Sequence, residues 1–176
     1  MSGHNKFSKI KHKKAASDAA KSKVFSRMAK LIIMESKKAN GDVSSPGLAA
    51  AIEQAKKENV PKDTIDRAVK KGTDADTASM DPVTYEAYGP GGSAIIIEAL
   101  TDNKNRAAAE IRHILANHGL QLAAQGAASW AFTKEGASWT PTQTTPVGDE
   151  DKEKLQKLID EFMENEDVQD VFTNAE

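Results

Sequence analysis

Apolar residues in the first part of the chain recur at helical spacing. Across residues 17–39, Ala20, Val24, Phe25, Met28, Leu31 and Ile32 fall in one sector at about 100° per residue, the buried stripe of an amphipathic helix. Ser17 and Asp18 offer N-cap oxygens, and Asn40-Gly41 supplies the stop. The run SSPGLAAAIEQAKKEN predicts a second helix, with Ser45 as cap, Pro46 in the first turn, and Leu48, Ile52 and Ala55 along one side. VPKDTIDRAVKKG predicts a third. Pro61 opens it, Asp63 and Asp66 complement its positive end, Lys70 and Lys71 its negative end, and Gly72 closes it. Residues 1–72 therefore read as an all-α domain of three helices. Residues 73–81, TDADTASMD, carry no apolar pattern and read as a linker.

Beyond the linker the period changes. TYEAYGPGGSAIIIEAL reads as two strands around a Gly-Pro-Gly-Gly turn, the second holding β-branched Ile95, Ile96 and Ile97. NKNRAAAEIRHILANHG predicts a helix burying Ile111, Ile114 and Leu115 and stopped by Gly119. AASWAFTKEGASW predicts a hairpin turning near Lys134-Glu135-Gly136, with Trp130 and Phe132 facing the same way. TPTQTTPVG reads as a loop or irregular edge. A C-terminal helix (Leu155, Leu158, Ile159, Phe162) then precedes a short strand around Val168 and Phe172. The expected architecture is α+β and multidomain. The helical domain is followed, over residues 82–176, by a mostly antiparallel sheet covered by helices.

Charge divides the chain at the same place. The net charge of 176 residues is only −2, yet residues 1–72 hold 17 basic against 7 acidic residues, and residues 73–176 hold 7 against 19. A basic module facing a polyanion, joined to an acidic one that does not, is what such asymmetry predicts. No apolar run of about 18 residues is present to cross a membrane. The basic start lacks the apolar core of a secretory signal. Its composition is compatible with an organelle transit peptide, but it runs straight into a patterned helix. With no cysteine there is no disulfide framework and no thiolate ligand or nucleophile. A cytoplasmic monomer is the expectation, or a protein of an organelle matrix if the source is eukaryotic.

Catalytic and metal chemistry find little to use. His113 and His118 are five apart, wrong for one helical face, while His4 and His12 lie among lysines that repel a cation. Helix-end solvation accounts for the first pair and phosphate hydrogen bonding for the second. Acids of the C-terminal helix interleave with Lys152, Lys154 and Lys157, as on a solvated face. Asp102 is the best isolated carboxylate, and capping the helix that begins near Asn103 is its stronger reading. The Gly89-Pro90-Gly91-Gly92 turn lacks the Lys-Ser/Thr of a P-loop and leads into a strand. No enzyme, metal or cofactor is expected.

Nucleic acid is the expected partner. Lys6, Lys9, Lys11, His12, Lys13 and Lys14 form a short basic arm, followed by Lys21, Lys23, Arg27 and Lys30 on the first helix. Lys23, Arg27, Lys30 and Lys37 share one face, interrupted by Met34, over roughly 21 Å at about 1.5 Å per residue. Phe7 and Phe25 are the aromatic residues of the basic half, so stacking of successive bases is not expected. Lysine outnumbers arginine, which favours point-charge phosphate contacts over bidentate base readout. Structured RNA, or duplex DNA read with little discrimination, suits that chemistry. Gly89, Pro90, Gly91, Gly92, Asp102, Asn103, Asn105 and Arg106 are expected to form a secondary surface or to hold the domains in register.

The motifs GHNKFSKIKHKK, DAAKSKVFSRMAKLI, KKENVPKDTIDRAVKKG, YEAYGPGG, EALTDNKNRAAAEIR and LQKLIDEFMENEDVQDVFTNAE resemble, in order, those of the YebC-like proteins, which include the mitochondrial translational activator of cytochrome c oxidase. Asn5 and Phe7 stand where that family typically has Ser and Trp. HGLQLAAQG loosens its Gly-rich motif, and Ala131-Phe132 replaces its Met-Phe. The family's usual third domain, inserted before the C-terminal helix, is reduced here to a short connection near residues 137–148. The resemblance implies either a DNA-binding transcriptional regulator or a translation factor that acts on the ribosome at difficult stretches such as consecutive prolines. The residues themselves tilt toward ribosomal RNA. An adaptor that uses the acidic domain to bind a basic protein is the alternative from another class.

Overall fold

The structure is a computed structural model and describes residues 18–176. These form two units, divided at residues 81 and 82.

The first unit holds α1 (Asp18–Ala39), α2 (Pro46–Lys57) and α3 (Lys62–Gly72). Met28, Ile32, Ile33, Leu48, Ala51, Ala55, Val60, Ile65 and Ala68 form its core. The expected stripe of α1 is rotated. Ile33 is buried, whereas Val24, Phe25 and Leu31 are only partly covered at its margin. α1 ends as its sequence dictates: Asn40 and Gly41 turn to positive φ, and Gly41 N–H donates to Ser36 O at 2.9 Å. Pro46 opens α2, but Ser45 makes no side-chain capping bond. The neighbouring Asp42 carboxylate instead accepts from the backbone N–H and hydroxyl of Ser44. Gly72 ends α3 for a different reason from the one expected. It is not in the left-handed region; an added Cβ would lie 2.5 Å from Ser36 Cβ and 2.7 Å from Ile33 O, so close approach to α1 requires glycine. Residues 73–77, expected as a bare linker, fold back on the end of α3 through Thr73 and Thr77.

In the second unit a four-stranded sheet runs in the order β3-β1-β2-β6, from β1 (Asp81–Tyr88), β2 (Ala94–Thr101), β3 (Leu122–Ala123) and β6 (Val168–Thr173). Ile95, Ile96 and Ile97 are all fully buried, so β2 is covered on both faces, and each isoleucine contributes roughly 1.5–3 kcal/mol of burial. On one face lie α4 (Lys104–Asn117) and α5 (Asp149–Glu164), packing Ile111, Leu115, Leu155, Leu158 and Phe162 over Ile95, Ile97 and Val171. The other face places Ile96 with Ala128, Ala131 and Phe132. A hairpin of β4 (Phe132–Glu135) and β5 (Ser138–Pro141) adds Trp139, edge-on to Phe132 at 6.4 Å. Trp130 does not share the orientation of Phe132. Residues 129–131 make a 3-10 turn, which leaves Trp130 56% exposed while Phe132 is 7% exposed. The loop after β5 is stitched to the last residues. Thr145 N–H donates to Asn174 O and Glu176 N–H to Thr145 O.

Candidate nucleic-acid interface

Lys6, Lys9, Lys11, His12, Lys13 and Lys14 lie outside the described residues. On α1, Lys21 is exposed and Lys23 and Lys30 are half-buried. Arg27 departs from the expected exposed face: it is 8% exposed, near the charge of Glu58 at the end of α2. Burial pulls the Arg27 guanidinium down from its ordinary pKa, and the charge of Glu58 opposes that pull. Lys23, Lys30 and Lys37, seven residues apart, keep one line along the helix. At its end, Lys37 Nζ donates to Thr77 O at 2.6 Å.

The two parts of the expected secondary surface stand at opposite ends of β2. Its eight residues separate them by roughly 26 Å at about 3.3 Å each. At one end, Gly89 N–H donates to Ser93 O, and Gly91 and Gly92 take positive φ. A Cβ on Gly91 would lie 2.7 Å from Val147 Cγ1, so the Pro90-containing turn is shaped for close packing. At the other end Asn103, not Asp102, caps α4: its side-chain oxygen accepts from Arg106 N–H at 3.0 Å. Asp102 pairs instead with Arg106 Nη2 at 2.8 Å. The same nitrogen donates to Asp167 Oδ2 at 2.9 Å, which also accepts from Thr101 Oγ1. Hydrogen bonds from Arg106 to Asp167 and Asp102 hold the guanidinium further above its ordinary pKa. Asn105 is exposed on the first turn of α4. These contacts lie within the second unit.

Three features escape local sequence reading. Glu86, 4% exposed, accepts from the backbone N–H groups of Gly126, Ala128 and Ser129 at 2.8, 2.7 and 2.8 Å. Burial pushes its carboxyl up, but these bonds outweigh burial, and its pKa lies below the ordinary value. A glutamate amid the apolar run of β1 is the signal that flags a partnered acid. His118 is not merely solvated at the end of α4, since Nε2 meets Glu161 Oε2 on α5 at 2.6 Å. That bond holds the Glu161 carboxyl below its usual range. Arg67, Lys70 and Lys71, of which the lysines complement a helix end in the sequence reading, line an open notch of about 780 Å³ with Thr73, Asp74, Asp76, Thr77 and Ala78. Among the described residues, no group of three or more His, Cys, Asp or Glu is placed to hold a metal ion, and no helix is long and apolar enough to cross a membrane.

Comparison with known proteins places this geometry in a family. The model of the TACO1/YebC protein N-terminal domain matches residues 5–75. The model of the TACO1/YebC second and third domain matches in two pieces, residues 80–137 and 134–175. A probable transcriptional regulatory protein of Desulfosudis oleivorans is 51% identical over 138 residues, which cover 77% of this chain and 56% of that protein. The matched region is thus little more than half the length of that relative. Probable transcriptional regulatory protein Teth39_1009 of Thermoanaerobacter pseudethanolicus is 37% identical over 239 residues, covering 100% of this chain and 97% of that protein. The crystal structure of a conserved hypothetical protein, Aq1575, from Aquifex aeolicus superposes with a TM-score of 0.84 at 30% identity, covering 95% of each chain.

Proposed function

The chain belongs to the TACO1/YebC family, and from that premise we propose that it is a non-enzymatic regulatory factor binding nucleic acid through its basic helical unit. Its target in this reading is structured ribosomal RNA, where it eases elongation at difficult stretches such as consecutive prolines. The observation that carries the reading is the lysine line of α1, held on a helix whose opposite side is locked into a core. Cations spaced along a rigid rod meet phosphates at fixed intervals, and no tryptophan or tyrosine of the unit is present to stack on bases. The arm of Lys6, Lys9, Lys11, His12, Lys13 and Lys14 extends the same chemistry.

The names of the relatives favour a second reading, a transcriptional regulator, for which the basic unit would take DNA. Sedimentation of a lysate through a sucrose gradient, with ribosomes intact or dissociated, separates the two. Co-migration with ribosomes is expected, and recovery with DNA alone overturns the ribosomal reading. A partner retained after nuclease treatment points instead to the adaptor alternative.

The alignment with the Thermoanaerobacter relative is longer than this chain, and the second family model matches in two pieces that meet near residue 135. Both support an internal shortening at the β4–β5 hairpin, where the family's third domain is inserted. We therefore read the chain as a two-domain form, with domains at 1–72 and 82–176 and a linker at 73–81.

A further inference from the structure

The end of α3 is built unlike an ordinary helix C-terminus. Exposed carbonyls at such an end repel anions. Here they are occupied. Lys70 O accepts from Thr73 N–H and Thr73 Oγ1, and Lys71 O accepts from Asp74 N–H and Thr77 Oγ1. Thr77 O in turn accepts from Lys37 Nζ, which brings a third element's ammonium to the wall of the notch. The negative end of the helix is thereby quenched by groups of the chain itself.

The cations beside it are left to face outward. Arg67, Lys70 and Lys71 are exposed, and Asp66, four residues before Lys70, forms no ion pair with it. Arg67 Nε donates to Asp63 O, which holds its guanidinium along the helix. The carboxylates lining the notch are Asp74 and Asp76, and Asp74 Oδ1 is engaged by Asp76 N–H in a tight turn. Three cations outnumber two acids around an open space large enough for a phosphodiester, and Lys37 is tied to Thr77 behind them.

We propose that this notch is a second phosphate-binding site, in which Arg67, Lys70 and Lys71 take a nucleic-acid backbone phosphate. The proposal rests on the nucleic-acid reading above and extends it. Lys23, Lys30 and Lys37 lead along α1 to the notch, so the two sets of cations form one track. From Lys23 to Lys37 it runs about 21 Å at 1.5 Å per residue, roughly the axial length of six base pairs at 3.4 Å each. A polyanion that lies along α1 ends in the notch.

The test is titration of a fluorescein-labelled RNA hairpin with the full chain over a range of salt, comparing wild type with two variants. Lys70→Glu/Lys71→Glu is expected to weaken binding at least about tenfold and to reduce the log–log salt slope by roughly 0.7–0.9 for each phosphate no longer neutralised. Asp74→Asn/Asp76→Asn keeps the turn acceptor and removes two negative charges, so it is expected to bind more tightly than wild type. Wild-type affinity and slope in both variants overturn the notch while leaving the nucleic-acid reading intact. A wild-type chain that binds neither this hairpin nor a duplex of the same sequence in DNA overturns both. Because the second variant acts in the opposite direction, loss through misfolding cannot imitate the expected pair of results.

Discussion

The Arg106 guanidinium on α4 donates to the Asp167 carboxylate at the entry to β6, 61 residues away, at 2.9 Å. The Asp167 side chain is 5% exposed, and its backbone O accepts from Leu100 N–H while its Oδ2 accepts from Thr101 Oγ1. One buried carboxylate thus joins the end of β2, the start of α4 and the start of β6. Replacing Arg106 by alanine removes a cation that meets that charge. The guanidinium is 44% exposed, and solvent screening moderates the loss to about 1–3 kcal/mol. Urea unfolding of Arg106→Ala should show this, with RNA affinity retained.

Glu86 makes stability depend on acid. Its folded pKa lies below the ordinary 4.5, so its stabilising contribution is full above that value and is lost as pH falls through the lower folded value. Glu161, held down by His118, adds to the same acid limb. Glu86→Gln should cost about 1–3 kcal/mol near neutral pH and flatten the decline below about pH 4.5, measured by chemical unfolding over a pH series.

Gly72 has no room for a methyl group. Gly72→Ala places a carbon 2.5 Å from Ser36 Cβ and 2.7 Å from the Ile33 carbonyl, one side of which is backbone and cannot yield cheaply. The same shift strains the 2.6 Å bond from Ser36 Oγ to Val69 O. A loss of about 1–3 kcal/mol is expected, read as faster amide exchange in α1 and α3.

Two neighbouring cations of α1 should behave differently. Lys21 is exposed, so Lys21→Glu should weaken nucleic-acid binding and leave the melting temperature nearly unchanged. Arg27 is buried near the charge of Glu58, so Arg27→Ala should lower stability by about 1–3 kcal/mol. Parallel melting and binding titrations distinguish the roles.

The order of elements is legible in the sequence because each has a local cause. The stripe from Val24 to Ile32 has helical period, three consecutive isoleucines mark a strand covered on both faces, and Asn40-Gly41 and Gly119 allow the backbone to reverse. Relations between distant segments are not legible. Nothing near Glu86 announces amides 40 or more residues later, and a dipole argument for Lys70 and Lys71 does not foresee threonines folding back beneath them. Arg27 leaves its expected face because helical spacing gives angles on a cylinder, whereas exposure depends on how many neighbours the cylinder has. Trp130 leaves its expected side because a 3-10 turn interrupts the alternation of a strand.

The placement of the aromatic rings also decides what light can report. The chain has two tryptophans and two tyrosines, and Tyr85, Tyr88, Trp130 and Trp139 all belong to the second unit. Trp130 shares the Ala127 carbonyl with Tyr88, and Trp139 donates to Glu98, so their emission follows the integrity of that sheet and its hairpin. The helical unit carries no ring that emits under excitation at the red edge of tryptophan absorption. A fluorescence melt of this protein therefore records one half of the molecule, and the half with the lysine track has to be followed by circular dichroism or by an introduced probe.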